Sequence, residues 1–279
     1  MGRSPQVAGY EATLDVYRRA VSTFSDLGFG FPLFAADAAE AAGWQPTGIC
    51  ELCSDERPGF QIGIGDYIEI RCHSCGASTP VPADGRFEAC VRCRTDLRLG
   101  RELEDGHGCW TCLRDGRWSS TKDTEAGMVT PVHAELGTTH GLPFPPGRLA
   151  QTAWVDASSD HPTLAGWPVT EPNADGWRAA VIPAEVLREL VRSPNYVTWQ
   201  GEHWLFHCRR PMRYLGLWGK RDFNAAAPDG DGRALAVSSA HLHEEAWQDL
   251  SEQAGESAVL TYMFECCECH AHRGHWDID

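Results

Sequence analysis

Ten of the twelve cysteines in this 279-residue chain stand in C-x2-C pairs: Cys50/Cys53, Cys72/Cys75, Cys90/Cys93, Cys109/Cys112 and Cys266/Cys269. Two cysteines three positions apart can present both thiolates from one tight turn to one tetrahedral metal ion, and zinc is the ion that such sulfur donors suit. Four thiolates fill the tetrahedron and leave no position for water or substrate, so a four-cysteine site contributes folding energy rather than chemistry. The last pair is different. A pair that met fewer than two further thiolates would leave room for imidazole or water and so an electrophilic zinc. Glu202, six residues before Cys208, is the one candidate general base for such a centre; otherwise it reads as a surface carboxylate or half of an ion pair.

A disulfide framework is the rival use of so many cysteines. The opening MGRSPQVAGYEATLDVYRRAV is polar and helix-like and does not have the order of a secretory leader. No run of about 18 apolar residues offers a membrane span. The chain is therefore expected to be cytoplasmic, where thiols stay reduced and such pairs bind metal. A hydrophobic content of 42% with 11 Trp and 10 Phe is enough for one substantial core and a smaller module. The formal charge is −15, and each ion held by four thiolates carries a local charge of about −2, which deepens the acidity. Such a surface disfavours nucleic acid and anionic membrane and favours a cationic partner.

The elements that must position these donors can be read in outline. Tyr10, Leu14, Tyr17, Val21 and Phe24 fall at helical spacing over residues 10–27, ending at Gly28. Spacers of 18, 14 and 15 residues separate the first four pairs, each long enough for a hairpin return. Within the first spacer, FQIGIGDYIEIR (60–71) alternates as a strand or hairpin that delivers Cys72. Residues 141–176 are rich in Pro and Gly and read as a connection held down by Trp154 and Trp167. A strand over WRAAVIP precedes a helix at 183–193, with Pro183 near its first position and Val186, Leu187, Leu190 and Val191 facing the core. Strands follow around 204–219, then a helix at 239–253, a buried strand at 258–265 and a returning strand after the last knuckle. The fold class is α+β: zinc-ribbon-like modules of short β-hairpins, then a C-terminal mixed α/β domain with a cysteine knuckle. The segments are 1–47 (helix and entry), 48–125 (ribbon region), 126–176 (connection) and 177–279 (C-terminal domain).

PNYVTWQGEHWLFHC (194–208), YLGLWG (214–219) and YMFECCECH (262–270), with the earlier FPLF, ICELC and CWTCLRDG, resemble the CbrC family, a bacterial group whose name is tied to tolerance of nuclease-type colicins. The resemblance spans about residues 31–279. It implies one site from pairs like Cys50/Cys53 and Cys109/Cys112, so that Cys72, Cys75, Cys90 and Cys93 form an inserted ribbon (about 70–95) with its own zinc. This nested pairing is preferred to a sequential one. The chain departs from the family at Met212, where a cysteine is usual. A thioether is a poor zinc ligand, so Cys208, Cys266 and Cys269 need a fourth donor, with His207, Cys267 and His270 as candidates and His207 the choice.

Three functional classes follow. The leading one is a non-enzymatic, zinc-stabilised protein of toxin tolerance or immunity type that binds a basic partner such as a toxin domain. A zinc-dependent hydrolase-like enzyme using the C-terminal metal and Glu202 is the alternative, although no H-E-x-x-H, deaminase signature, phosphate loop or nucleophile elbow is present. The third is nucleic-acid binding through the ribbon's arginines: Arg71, Arg86, Arg92, Arg94, Arg98 and Arg101.

Overall fold

A computed structural model of the chain describes residues 22–63, 65–83, 89–97, 106–140, 167–171 and 178–278. The helix read over 10–27 lies outside them up to residue 21, as do Trp154, most of the 141–176 connection, and Arg86, Arg98 and Arg101. The fold is mixed α and β, with small antiparallel sheets and short helices. It divides into two compact units. Described residues from 43 to 195, with 202–211, make one; 22–42, 196–201 and 212–278 make the other. The 183–193 helix thus belongs with the ribbons rather than with the C-terminal sheet.

The first unit is built on two three-stranded sheets. β1 (Trp44–Gln45), β2 (Gly59–Ile62) and β5 (Gly106–Cys109) form one, in the order β1-β2-β5. β3 (Asp66–Arg71), β4 (Ser78–Pro82) and β6 (Trp118–Ser120) form the other, in the order β4-β3-β6. The alternating run at 60–71 is therefore two strands in different sheets, not a hairpin. Left-handed Gly65, at φ 91°, lies where the chain passes from one sheet to the other. α1 (Trp110–Arg114) follows β5 directly. α2 (Pro131–Leu136) opens on a reciprocal cap between Thr130 and His133 and ends at left-handed Gly137. α3 (Ala184–Val191) buries Leu187, Leu190 and Val191 and leaves Val186 half-buried. Pro183 is its N-cap rather than its first residue. Arg188 joins the two helices by donating to both oxygens of Glu135, at 2.7 and 3.1 Å. WRAAVIP makes only isolated bridges, Ala180 to Val169 and Val181 to Thr138. A two-residue hairpin, β7 (Phe206–His207) and β8 (Arg210–Pro211), completes the unit.

The second unit is organised by β10 (Val259–Glu265), which is buried along its whole apolar length because both faces are covered. β9 (Arg213–Leu217) and β11 (His272–Ile278) flank it in an antiparallel sheet. Val259 and Met263 pack with Phe223, Ala236, Ala240, Leu242, Ala246 and Leu250, which come from three short helices and their connections: α4 (Lys220–Ala226), α5 (Gly232–Ala240) and α6 (Glu244–Asp249). The helix read over 239–253 is thus the end of α5 and all of α6. His241 at φ 54° breaks it, and the His243 ring accepts the Ala246 N–H at 3.2 Å to start α6.

Tyr262 and Phe264, which alternate with those residues along β10, join an aromatic group with Phe34, Tyr196 and Tyr214, in which Tyr196 and Tyr214 stack at 4.5 Å. Glu40 closes this side. Its Oε2 accepts from the Tyr214 hydroxyl and the Leu217 N–H, each at 2.9 Å. Gly216, at φ 111°, makes the approach possible, since a β-carbon there would stand 2.8 Å from Glu40 Oε1.

Burial outweighs these two hydrogen bonds and pushes the Glu40 carboxyl up to about 7 from its ordinary 4.5. The folded state therefore holds a proton that the unfolded chain releases. This stabilisation is complete below about pH 4.5 and is lost as pH rises through about 7. Glu40→Gln keeps both acceptor contacts and removes the titration. Urea denaturation at pH 5 and pH 7.5 should show a smaller loss of stability for the variant than for the wild-type chain, and an equal loss would refute the assignment.

Candidate metal centres

Four of the five knuckles share one backbone design. In each, the N–H of the first cysteine donates to the carbonyl five residues on, and its carbonyl accepts from the N–H four residues on. The pairs are Cys50 with Asp55 and Ser54, Cys72 with Ala77 and Gly76, Cys90 with Thr95 and Arg94, and Cys266 with Ala271 and His270, all at 2.7–3.0 Å. The residue four after the first cysteine is left-handed every time: Ser54 at 63°, Gly76 at 70°, Arg94 at 61° and His270 at 59°. Only one is glycine, so the strain of the other three is carried by the turn. The Cys109/Cys112 pair is built otherwise: Cys109 ends β5 and is the N-cap of α1.

Within the first unit the donors gather into two groups, each with its ligand atoms within 4.8 Å of one another: Cys50, Cys53, Cys109 and Cys112; and Cys72, Cys75, Cys90 and Cys93. The order of the two groups is nested, the second tetrad lying within the first along the chain. Sulfur separations are 3.8 Å for Cys50–Cys112 and 3.7 Å for Cys53–Cys109. In the ribbon they are 3.6 Å for both Cys72–Cys93 and Cys75–Cys90. A disulfide would need about 2.05 Å. A regular tetrahedron with metal–sulfur bonds of about 2.3 Å has edges of about 3.8 Å. The sulfurs are spaced for a shared tetrahedral ion.

Electrostatics agree with that spacing. Burial acts to raise the Cys50 thiol, but N–H groups of Cys109, Leu52 and Cys53 outweigh it and bring it down to about 7. The N–H of Cys93 and the Thr79 hydroxyl pull Cys90 down to about 5. Cys112 goes the other way, raised by burial and by the neighbouring sulfurs of Cys109 and Cys50. Thiols packed this closely cannot all ionise unless a cation neutralises them, and a metal ion does so.

Cys208 and His207 have local supports of their own. Cys208 and Arg209 both have positive φ, 49° and 58°, as the two central residues of the β7–β8 turn. That conformation favours Gly and Asn, and its cost for two other side chains is of the kind retained at functional positions. It holds the Cys208 sulfur 3.3 Å from His207 Nδ1. His270 is the left-handed turn residue, and its ring meets Glu265 Oε1 at 3.0 Å. Met212 is fully buried, a core residue rather than a donor.

Glu202 is not among the donors either. Its charge acts on Lys122, a fully buried lysine that the sequence reading passed over. The Lys122 ammonium donates to Asn195 Oδ1 and stands 5.2 Å from the centre of the Trp204 ring. Burial lowers it to about 8, against the charges of Glu202 and Asp66. His107 was also passed over. Both its ring nitrogens are engaged, Nδ1 with Gln45 Oε1 at 2.9 Å and Nε2 with the Arg57 carbonyl at 2.8 Å, and this braces the loop that carries Cys50 and Cys53. A lone histidine two residues before a cysteine offers no periodic signal for such a role.

Gly59 pairs directly with Cys109 across β2 and β5. A β-carbon there would meet the Gly108 carbonyl and stand 2.6 Å from the Cys109 α-carbon. Gly59→Ala should therefore cost about 3 kcal/mol or more and lower the bound metal by one ion per chain, read by denaturation and elemental analysis. Unchanged metal content would show that the tetrad does not depend on this approach.

Residues 63–278 match the model of a family described as "Uncharacterised protein family (UPF0167)". The match includes the ribbon tetrad, Cys109/Cys112, His207, Cys208 and the Cys266/Cys269 pair, but not Cys50 and Cys53. The UPF0167 protein PA1536 of Pseudomonas aeruginosa is 30% identical over 141 residues, 49% of this chain and 73% of that protein. No solved structure matches. With some three-quarters of its length inside the family match, this chain belongs to the UPF0167 family.

Proposed function

We propose that the chain is a zinc-stabilised binding protein of the CbrC type, not an enzyme, and that it neutralises a cationic partner such as a nuclease-type toxin domain. The observation that carries the metal half of this reading is the sulfur spacing in the two tetrads, which suits zinc and leaves no open coordination position. Zinc in them supplies folding energy. Among the described residues the ribbon's local core is Cys72, Cys90 and Leu97, with Ile70 and Cys75 packed on it, and the ion would cross-link it. The resemblance to the CbrC family implies a third ion, on the group His207, Cys208, Cys266 and Cys269.

The partner half rests on the resemblance to the CbrC family and on charge. A surface at −15 attracts a basic domain over several ångströms and accelerates its encounter, an effect that salt screens. Among the described residues no helix is long and apolar enough to cross a membrane.

Elemental analysis of reduced, freshly purified chain should give a zinc-to-protein ratio near three. A ratio near two would remove the third ion, and one near zero would end the zinc reading. Basic nuclease toxin domains should be retained on immobilised chain at low salt and released by about 0.5 M salt, where the screening length falls to a few ångströms. Cells expressing the chain should survive such a toxin better than cells without it. No retention of any such domain, with unchanged survival, would overturn the partner assignment.

A further inference from the structure

We infer that the ribbon tetrad is a peroxide-reactive modification site, with Cys93 as the attacking sulfur and Cys72 as the resolving one, while the outer tetrad stays closed. This rests on the reading of both tetrads as zinc sites. The two differ in access. In the outer tetrad Cys50, Cys109 and Cys112 are each no more than 2% exposed, Cys53 is half-buried, and the Arg117 guanidinium lies over the Cys112 sulfur at 3.5 Å. In the ribbon Cys72 and Cys90 are as deeply buried, but Cys93 is exposed. A solvent-borne oxidant therefore reaches one sulfur of the ribbon directly, and the Cys72 sulfur waits 3.6 Å behind it.

The chemistry balances with hydrogen peroxide as the oxidant. The Cys93 thiolate attacks one peroxide oxygen; an S–O bond forms, the O–O bond breaks, and hydroxide leaves and takes a proton from solvent. The Cys72 thiolate then attacks the Cys93 sulfenic sulfur; the S–S bond forms, the S–O bond breaks, and a second hydroxide leaves and is protonated. Two electrons pass from the two sulfurs to the peroxide. Cys75 and Cys90 remain as thiolates, too few to keep the ion. The ion that cross-linked the core of Cys72, Cys90 and Leu97 is then lost. Thr95 moderates the first step. Its Oγ1 lies 3.1 Å from the Cys93 sulfur, and toward a thiolate it can only donate, drawing charge away from the nucleophile. Thr79 does the same for Cys90 at 3.4 Å, on a sulfur that peroxide does not reach.

The test uses the zinc-loaded full chain and hydrogen peroxide, with a chromogenic chelator reporting released zinc and peptide mass mapping after thiol alkylation reporting each cysteine. A Cys72–Cys93 disulfide should form in step with zinc release while Cys50, Cys109 and Cys112 are still reduced. Thiol reductant with added zinc should reverse it. T95V keeps all four ligands and should form this disulfide several-fold faster, whereas T79V should leave its rate unchanged. Oxidation of the outer tetrad before or together with the ribbon overturns the inference, as does a Cys93 that stays reduced in both the wild-type chain and T95V. A chain purified without zinc refutes the underlying zinc reading; one with both tetrads loaded but an inert ribbon refutes only this inference.

Discussion

Mutual repulsion among close-packed thiolates is the constraint on which the ribbon unit depends. Four sulfurs at 3.6–3.8 Å are too far apart to bond and too close to ionise together in the absence of a cation. The backbone is committed to that arrangement in advance. Knuckle N–H groups point at the sulfurs, left-handed residues stand four positions after the first cysteine of three turns, and a glycine opposite Cys109 lets two strands meet at the ligand. These features cost conformational energy and receive it back only when an ion is shared.

The second unit is stabilised by different means. Its central strand is covered on both faces, by three short helices on one side and an aromatic group on the other, so its apolar core is packed from two sides. The contrast explains where the polar compromises lie. Glu40 is driven into this core as a neutral acceptor for backbone and tyrosine, and glycine at 216 makes room for it. In the ribbon unit the corresponding compromise is Lys122, kept buried by an amide oxygen, an indole face and two carboxylate charges. Each buried ionisable group has a local partner set, as the cost of burying charge demands.

Histidines separate structural from chemical use in this chain. His133 and His243 accept N–H groups at helix starts, His241 ends a helix in the left-handed conformation, and His107 braces a loop through both nitrogens. His207 stands beside a cysteine, its Nδ1 3.3 Å from the Cys208 sulfur. An imidazole is a versatile hydrogen-bonding group, and its presence near a metal motif in sequence says little until its neighbours are known.

Much of the local architecture was legible in the residues alone. The C-x2-C spacing marks knuckles because two thiolates on one tight turn reach one ion, and an unbroken apolar strand before the last knuckle marks a two-sided core. Periodicity also located α3 and the β10–β11 hairpin, although it merged α5 with α6, because a left-handed histidine gives no hydrophobic signal. It also read 60–71 as one strand or hairpin, since alternation does not report which sheet a strand joins. Which knuckle meets which was decided only by tertiary structure. All five pairs offer the same chemistry, and the choice depends on strand pairings that bring Cys109 back beside Cys50 across a 59-residue separation. The same holds for Glu202, whose type and position suit a catalytic base but whose charge the fold sets against a buried lysine. Spacing along a chain determines what a turn can grip; long-range packing determines what shares the grip.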